Sequence, residues 1–181
     1  TGFLTRFWES PTRPWYLIIP SKGKPIAVIP SIGEALMSKT WLDDIRTWPS
    51  PDLKDDGISL LTDTLEEIAK NKNIGIPSGT ETYVRMPQTD LKKLSQNVKL
   101  TSDFDIMKKL RMTKSNEEID KIKNACGIAA DAFSRVPEIA FENVNLDEVF
   151  RKFQVLCLES GADWVPYLAG GADTEGYDDV I

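Results

Sequence analysis

Five carboxylates crowd the C-terminal end of the chain: Asp163, Asp173, Glu175, Asp178 and Asp179. Hard divalent cations need several oxygens converging from a preformed loop. This spacing matches no EF-hand or comparable pattern, so the acids read as a solvated loop rather than a metal site. Gly170, Gly171 and Gly176 would let a backbone approach a ligand closely. Neither GxGxxG nor a Walker Lys-Ser/Thr accompanies them, and a tight turn between two strands is the simpler reading. Ser78-Gly79-Thr80 follows a predicted strand but has no basic neighbour, which argues against an anion loop. The segment from Arg6 to Trp15 is richer, with Arg6, Trp8, Arg13 and Trp15 in a predicted loop. Exposed Trp and Arg on loops are the residue types enriched at interfaces and ligand pockets. The plainer alternative makes Trp15 strand core and Trp8 a cap on the sheet edge. Arg85 precedes Met86-Pro87, and Pro87 fits the first position of a helix.

The composition closes off whole chemistries. The 181 residues include no His, so no Ser-His-Asp triad, Cys-His pair or HExxH zinc helix can be built from this chain alone. Lys and Arg number 22 against 28 Asp and Glu, a formal charge of −6. That balance argues against a nucleic-acid partner, which requires clustered cations on one face. The longest strongly apolar run, Trp15 to Ile19, is far short of the roughly 20 residues of a bilayer span. No basic segment followed by an apolar one opens the chain, and a cytoplasmic setting is the expectation. Cys126 and Cys157 are too few for a disulfide framework and are expected as buried, reduced thiols on apolar helix faces.

The elements that would position these residues follow from periodicity. Leu17–Pro20 and Ile26–Pro30 flank Ser21-Lys22-Gly23-Lys24 and predict an antiparallel hairpin. A short helix over 33–42 and a strand Ile45–Trp48 follow. A helix runs from about Asp55 through Ala69, with Ile58, Leu61, Leu65 and Ile68 at helical spacing. Ile74–Pro77 reads as a buried strand, Pro87 opens a helix carrying Leu91 and Leu94, and Leu100–Phe104 is the next apolar run. Asp105–Met112 is short and helical. Ser115 and Glu118 then form a capping box ahead of a long stripe, Ile119, Ile122, Cys126, Ala129 and Phe133. Asn145 and Glu148 repeat the start signal before Val149, Phe150, Phe153, Leu156 and Cys157. Gly161 suits the residue just past that helix, and Trp164–Leu168 reads as a strand.

The pattern is mixed α/β, with a change of texture near residues 105 to 112. The part after it has two amphipathic helices and one strand, which expose more apolar face than they can bury on each other. Below about 80 residues a core seldom stabilises itself. This part therefore calls for a partner sheet, and the chain reads as a fragment of a longer protein.

Several strings carry a resemblance: Thr1-Gly2-Phe3-Leu4, Trp48-Pro49, the phrase Leu110-Arg111-Met112-Thr113-Lys114-Ser115-Asn116-Glu117-Glu118-Ile119, and Ala125-Cys126 followed by Ala132-Phe133. Together they resemble the creatinase/prolidase family of pita-bread metallohydrolases. Val165-Pro166-Tyr167-Leu168-Ala169-Gly170-Gly171 followed by Gly176-Tyr177-Asp178-Asp179 is similar to the first catalytic strand and turn of Xaa-Pro peptidase-like members. The resemblance implies a creatinase-like N-terminal domain over 1–104, a mixed sheet flanked by helices, and the start of a pita-bread catalytic domain over 105–181. It implies a metal-dependent Xaa-Pro dipeptidase or aminopeptidase-like hydrolase. Two divalent ions, Mn, Co or Zn, would be held by two Asp, one His and two Glu supplied later in the chain. In the complete protein these ions would generate a hydroxide and polarise the scissile carbonyl.

No metal ligand or catalytic residue is then expected in the present chain. The partners implied are a proline-containing peptide or a small-molecule substrate and a second copy in a homodimer, with neither nucleic acid nor membrane. Arg6, Trp8, Tyr167 and Tyr177 are the residues implied to contact substrate or partner. The stretch Ala172-Asp173-Thr174-Glu175-Gly176 lacks the His that many prolidases carry there. The same architecture also serves creatinase-like amidinohydrolases, related small-molecule hydrolases and lyases, and inactive binding modules, which stay open as alternatives.

Overall fold

The computed structural model describes residues 14–80, 84, 86–172 and 175–179, and divides into two compact units after Met112. Among the described residues no helix is long and apolar enough to cross a membrane.

In the first unit β1 (Tyr16–Ile18) and β2 (Ile26–Pro30) form the expected antiparallel hairpin, with Leu17 opposite Ala27. The first strand stops at Ile18, ahead of the Ile19-Pro20 pair. Proline brings no N–H to a ladder, and Ile19 points to solvent. Gly23 in the turn takes φ +103, a conformation natural to glycine. After β2 the chain makes a 3-10 turn, Ser31–Gly33, and a single helical turn, α1 (Glu34–Met37), before β3 (Asp44–Trp48) pairs parallel to β2. The expected helix over 33–42 ends early because Thr40 competes for the backbone: its hydroxyl donates to Met37 O at 2.7 Å and accepts from Leu42 N at 3.2 Å.

Strand β2 is buried along its whole length, and its alternation feeds two cores. Ile26 and Val28 join Trp48 and the apolar face of α2 (Ile58–Ala69), namely Ile58, Leu61 and Leu65. Ala27 and Ile29 face Met37 and Leu42 on the other side, with Trp15 packed against them. Asp55 starts α2 by accepting from Ile58 N at 2.9 Å. The remaining pair, β4 (Ile74–Ile76) and β5 (Leu100–Ser102), is parallel and connected through α3 (Gln88–Asn97). Strand β4 is not the buried strand expected: Ile74 packs on the core, but Gly75 is exposed and offers no side chain to bury. Pro87 is the residue before α3 rather than its first, with extended ψ 138. The last element, α4 (Ile106–Met112), buries no residue.

The second unit opens with the predicted capping box. Ser115 Oγ accepts from Glu118 N at 3.3 Å and Glu118 Oε2 accepts from Ser115 N at 2.9 Å. It starts α5 (Asn116–Ser134). A 3-10 turn, Val136–Glu138, leads toward α6 (Leu146–Glu159), whose first turn is held by Asn145 Oδ1 accepting from Asp147 N at 2.8 Å. Arg135 ties the end of α5 to the end of α6, donating to Glu138 at 3.3 Å and to Glu159 at 2.9 Å. Helix α6 finishes as Gly161 predicts. Gly161 N donates to Leu158 O at 3.0 Å and Ala162 N to Cys157 O at 3.0 Å, with Gly161 at φ +106, a Schellman termination.

The core of this unit is Ala132, Ile139, Phe153, Leu156 and Cys157. Helix α5 contributes little to it: Ile122 is 50% exposed and Phe133 65% exposed. Cys126 is exposed too, against expectation, because the stripe it belongs to is not covered within the unit, whereas Cys157 is buried as expected. Burial pushes the Cys157 thiol pKa upward, which suits an inert apolar group.

Candidate functional site

The residues singled out by sequence fall into two places. Arg6 and Trp8 lie outside the described residues, as does Arg85. Tyr167 and Tyr177 belong to the C-terminal part of the second unit, whose course is set by α6. After the turn at Gly161, Val165 and Leu168 pack against the Phe153–Leu156–Cys157 core. Their neighbours are turned outward, so Trp164 is 51% and Tyr167 54% exposed.

That run is not a strand. The ladder begins later, with β6 (Ala169–Ala172) antiparallel to β7 (Glu175–Asp179). Val165 and Leu168 are three residues apart, a spacing that anchors an irregular segment to a core but breaks the alternation a strand needs. Gly170 and Gly171 are strand residues, not the turn expected of them. Gly170 passes over the Phe150 ring so closely that a Cβ there would lie 2.9 Å from Cε1 and Cζ. Its glycine is required by packing rather than by a ligand. A register shift between Gly170 and Ala172 re-aims the ribbon. Register also separates the two tyrosines. Asp179 pairs with Ala169, which puts Tyr167 beyond the end of the ladder and Tyr177 inside it.

The donor set implied by the resemblance does not fit here. The chain has no His, and among the described residues no group of three or more His, Cys, Asp or Glu is placed to hold a metal ion. Asp163 is exposed beside the α6 turn, and Asp173 lies outside the described residues. No catalytic step is therefore routed through these residues.

In the first unit two further features stand out. Trp15, ambiguous by sequence, is a packing residue: its ring lies over Gly33, where a Cβ would come within 2.6 Å of Cζ2. Trp41, which carried no sequence signal, is 54% exposed on the turn between α1 and β3. It flanks a hollow of about 270 Å³ lined by Lys24, Pro25, Leu42 and Asp43, with Lys24 donating to the Asp43 carboxylate at the rim. A tryptophan in a turn lacks the periodic context that flags a strand or helix position, and only its fractional exposure marks it.

Comparison with known proteins adds the fold relationship. No family model matches the sequence, and no curated protein matches it. Solved structures do. The dipeptidase PepE from Mycobacterium ulcerans superposes with a TM-score of 0.66 at 22% identity, covering 92% of this chain and 45% of that one. A prolidase from Thermococcus sibiricus gives 0.68 at 22% identity, over 84% and 40%. An Xaa-Pro dipeptidase from Bacillus anthracis gives 0.67 at 18% identity, over 92% and 44%. At these identities the likeness is one of fold, and the chain spans less than half the length of each structure. The mixed α/β architecture is that of the N-terminal part of prolidase-type proteins.

Proposed function

We propose that this chain is the N-terminal part of a metal-dependent Xaa-Pro dipeptidase or aminopeptidase-like hydrolase, serving dimerisation and the shaping of the substrate site. The observation that carries this reading is the fold match over 92% of the chain to less than half of a dipeptidase. A second feature supports it. The α5 face of the second unit is left open, as expected of a layer that packs against a further sheet. In this reading the pair of divalent ions, Mn, Co or Zn, is held by the longer protein, and Tyr167 on the surface beside β6 faces substrate or partner.

The test is hydrolysis of an Xaa-Pro dipeptide and tripeptide panel by a longer protein containing this sequence, after chelation and with Mn, Co or Zn restored. Metal-restored cleavage before proline is the expected result, with none from the 181-residue chain alone. Failure to cleave any Xaa-Pro bond despite tightly bound paired metal would sink the peptidase reading.

A further inference from the structure

Phe150 is as well buried as Phe153, about one turn further along α6, each being 8% exposed. Yet Phe150 lies outside the core formed by Ala132, Ile139, Phe153, Leu156 and Cys157. Part of its cover is strand β6. The far end of the ring, Cε1 and Cζ, meets the backbone at Gly170, where a Cβ would lie 2.9 Å from both atoms. The backbone itself does not ask for glycine there, because Gly170 lacks the positive φ of Gly23, Gly57 and Gly161. Glycine also weakens a strand interior. The ring contact is therefore what Gly170 serves.

The ribbon needs such a contact. Among the described residues β6 and β7 form a two-stranded sheet, and two strands alone are marginal in water. Gly170 belongs to the ladder itself: it pairs with Asp178, the neighbour of Tyr177, and it follows Tyr167 by three residues. The register shift between Gly170 and Ala172 starts at the same residue, so the ring holds the strand where it bends.

We propose that Phe150 is a positioning residue. Its ring sets where the β6–β7 ribbon lies on α6, and so where the backbone presents Tyr167 and Tyr177 to substrate. The proposal rests on the peptidase reading and adds to it a residue on a different element.

Steady-state kinetics of the longer protein on an Xaa-Pro dipeptide test it, together with hydrogen exchange of the 181-residue chain. Leucine lacks the ring atoms that a Cβ on Gly170 would meet. Phe150→Leu thus leaves a gap, Gly170→Ala makes a clash, and the double variant has neither. Each single variant should raise KM about tenfold and keep kcat within about twofold, as expected when substrate and transition state lose the same contacts. A mere loss of folded enzyme would lower kcat and leave KM alone. The double variant should recover most of the effect. In the 181-residue chain each single variant should speed exchange of the β6–β7 ladder amides and spare those of α5 and α6, and the double variant should reverse this. Gly170→Ala leaves α6 untouched and keeps the test valid if Phe150→Leu fails to fold. An unmoved KM, a double variant no better than the single ones, or ladder amides indifferent to both changes overturns the proposal. The two readings fail separately. A longer protein that cleaves no Xaa-Pro bond removes the peptidase reading, and the exchange measurement still decides whether Phe150 sets the ribbon. Cleavage with KM unmoved in both single variants removes only the positioning.

Discussion

The indole of Trp48 lies flat against Gly57, so close that a Cβ on Gly57 would come within 2.5 Å of ring atoms Cδ2 and Cε2. Trp48 Nε1 meanwhile donates to Asp56 Oδ1 at 3.0 Å. One side chain at the end of β3 thus fixes the start of α2 twice, through packing and through a hydrogen bond. Gly57 also takes φ +91. Gly57→Ala should therefore cost stability through backbone strain and through overpacking, about 2–4 kcal/mol together. Denaturant unfolding followed by tryptophan fluorescence checks this, and an unshifted midpoint would show that the ring can move aside.

The capping box supplies a smaller effect at a different place. Ser115→Ala removes the acceptor for Glu118 N and should destabilise the second unit by about 1 kcal/mol. Ser115→Asp retains an acceptor and places a negative charge at the helix N-terminus, so it should recover most of the loss. Equal destabilisation by both variants would mean that the cap adds nothing beyond the packing of α5.

What could be read in the sequence was whatever local chemistry determines. The β1–β2 hairpin, the α2 stripe, the Ser115–Glu118 box and the Gly161 termination each depend on a few adjacent residues, and each stands where its pattern puts it. Three of the misplaced features depend on contacts remote in sequence. Trp164–Leu168 looks like a strand because it is apolar, yet only Val165 and Leu168 pack inward, and the ladder starts at Ala169. Gly170-Gly171 looks like a turn until Phe150, some twenty residues earlier, is seen to occupy the space above Gly170. Cys126 looks buried because its stripe is apolar, and it is exposed because nothing in its own unit covers that stripe. Of the candidate site residues, only Tyr167 and Tyr177 lie among the described residues. The Trp41 hollow was not legible, since nothing near a lone turn tryptophan reports its exposure.

Arg46 links β3 to α2 with a pH-dependent contact. It donates from Nε to Asp44 at 3.2 Å and from Nη1 to Glu67 at 2.5 Å, with Thr64 Oγ1 3.3 Å from Nη1. The guanidinium holds the Glu67 carboxyl below its ordinary value of 4.5. A depressed folded value means the contribution is complete above the ordinary value and is lost as pH falls through the lowered one. The melting temperature of the wild type should exceed that of Glu67→Gln at about pH 7, and the two should converge as pH drops below about 4. Glu67 is exposed, so the gap should be modest and should shrink with added salt. A gap that is constant across this range would show that Glu67 contributes by packing alone.

Phe153 is the residue on which the second unit turns. It is 8% exposed on α6, and its ring centroid lies 4.8 Å from that of Phe133 in a tilted pair joining α6 to α5. Phe153 is also among the core residues against which Val165 and Leu168 pack, so the segment carrying Tyr167 depends on it. Phe153→Asp places an unpaired carboxylate in that core and should destabilise the unit by several kcal/mol, about 3–5. Phe153→Leu keeps the apolar volume approximately and loses the ring pair, so it should cost about 1 kcal/mol. Because the two units have separate cores, unfolding of the aspartate variant should remove the α5–α6 signal in hydrogen exchange while the β2–β3 amides of the first unit stay protected. An unchanged melting curve for Phe153→Asp would place Phe153 at the surface, and simultaneous loss of β2–β3 protection would make the two units one cooperative body.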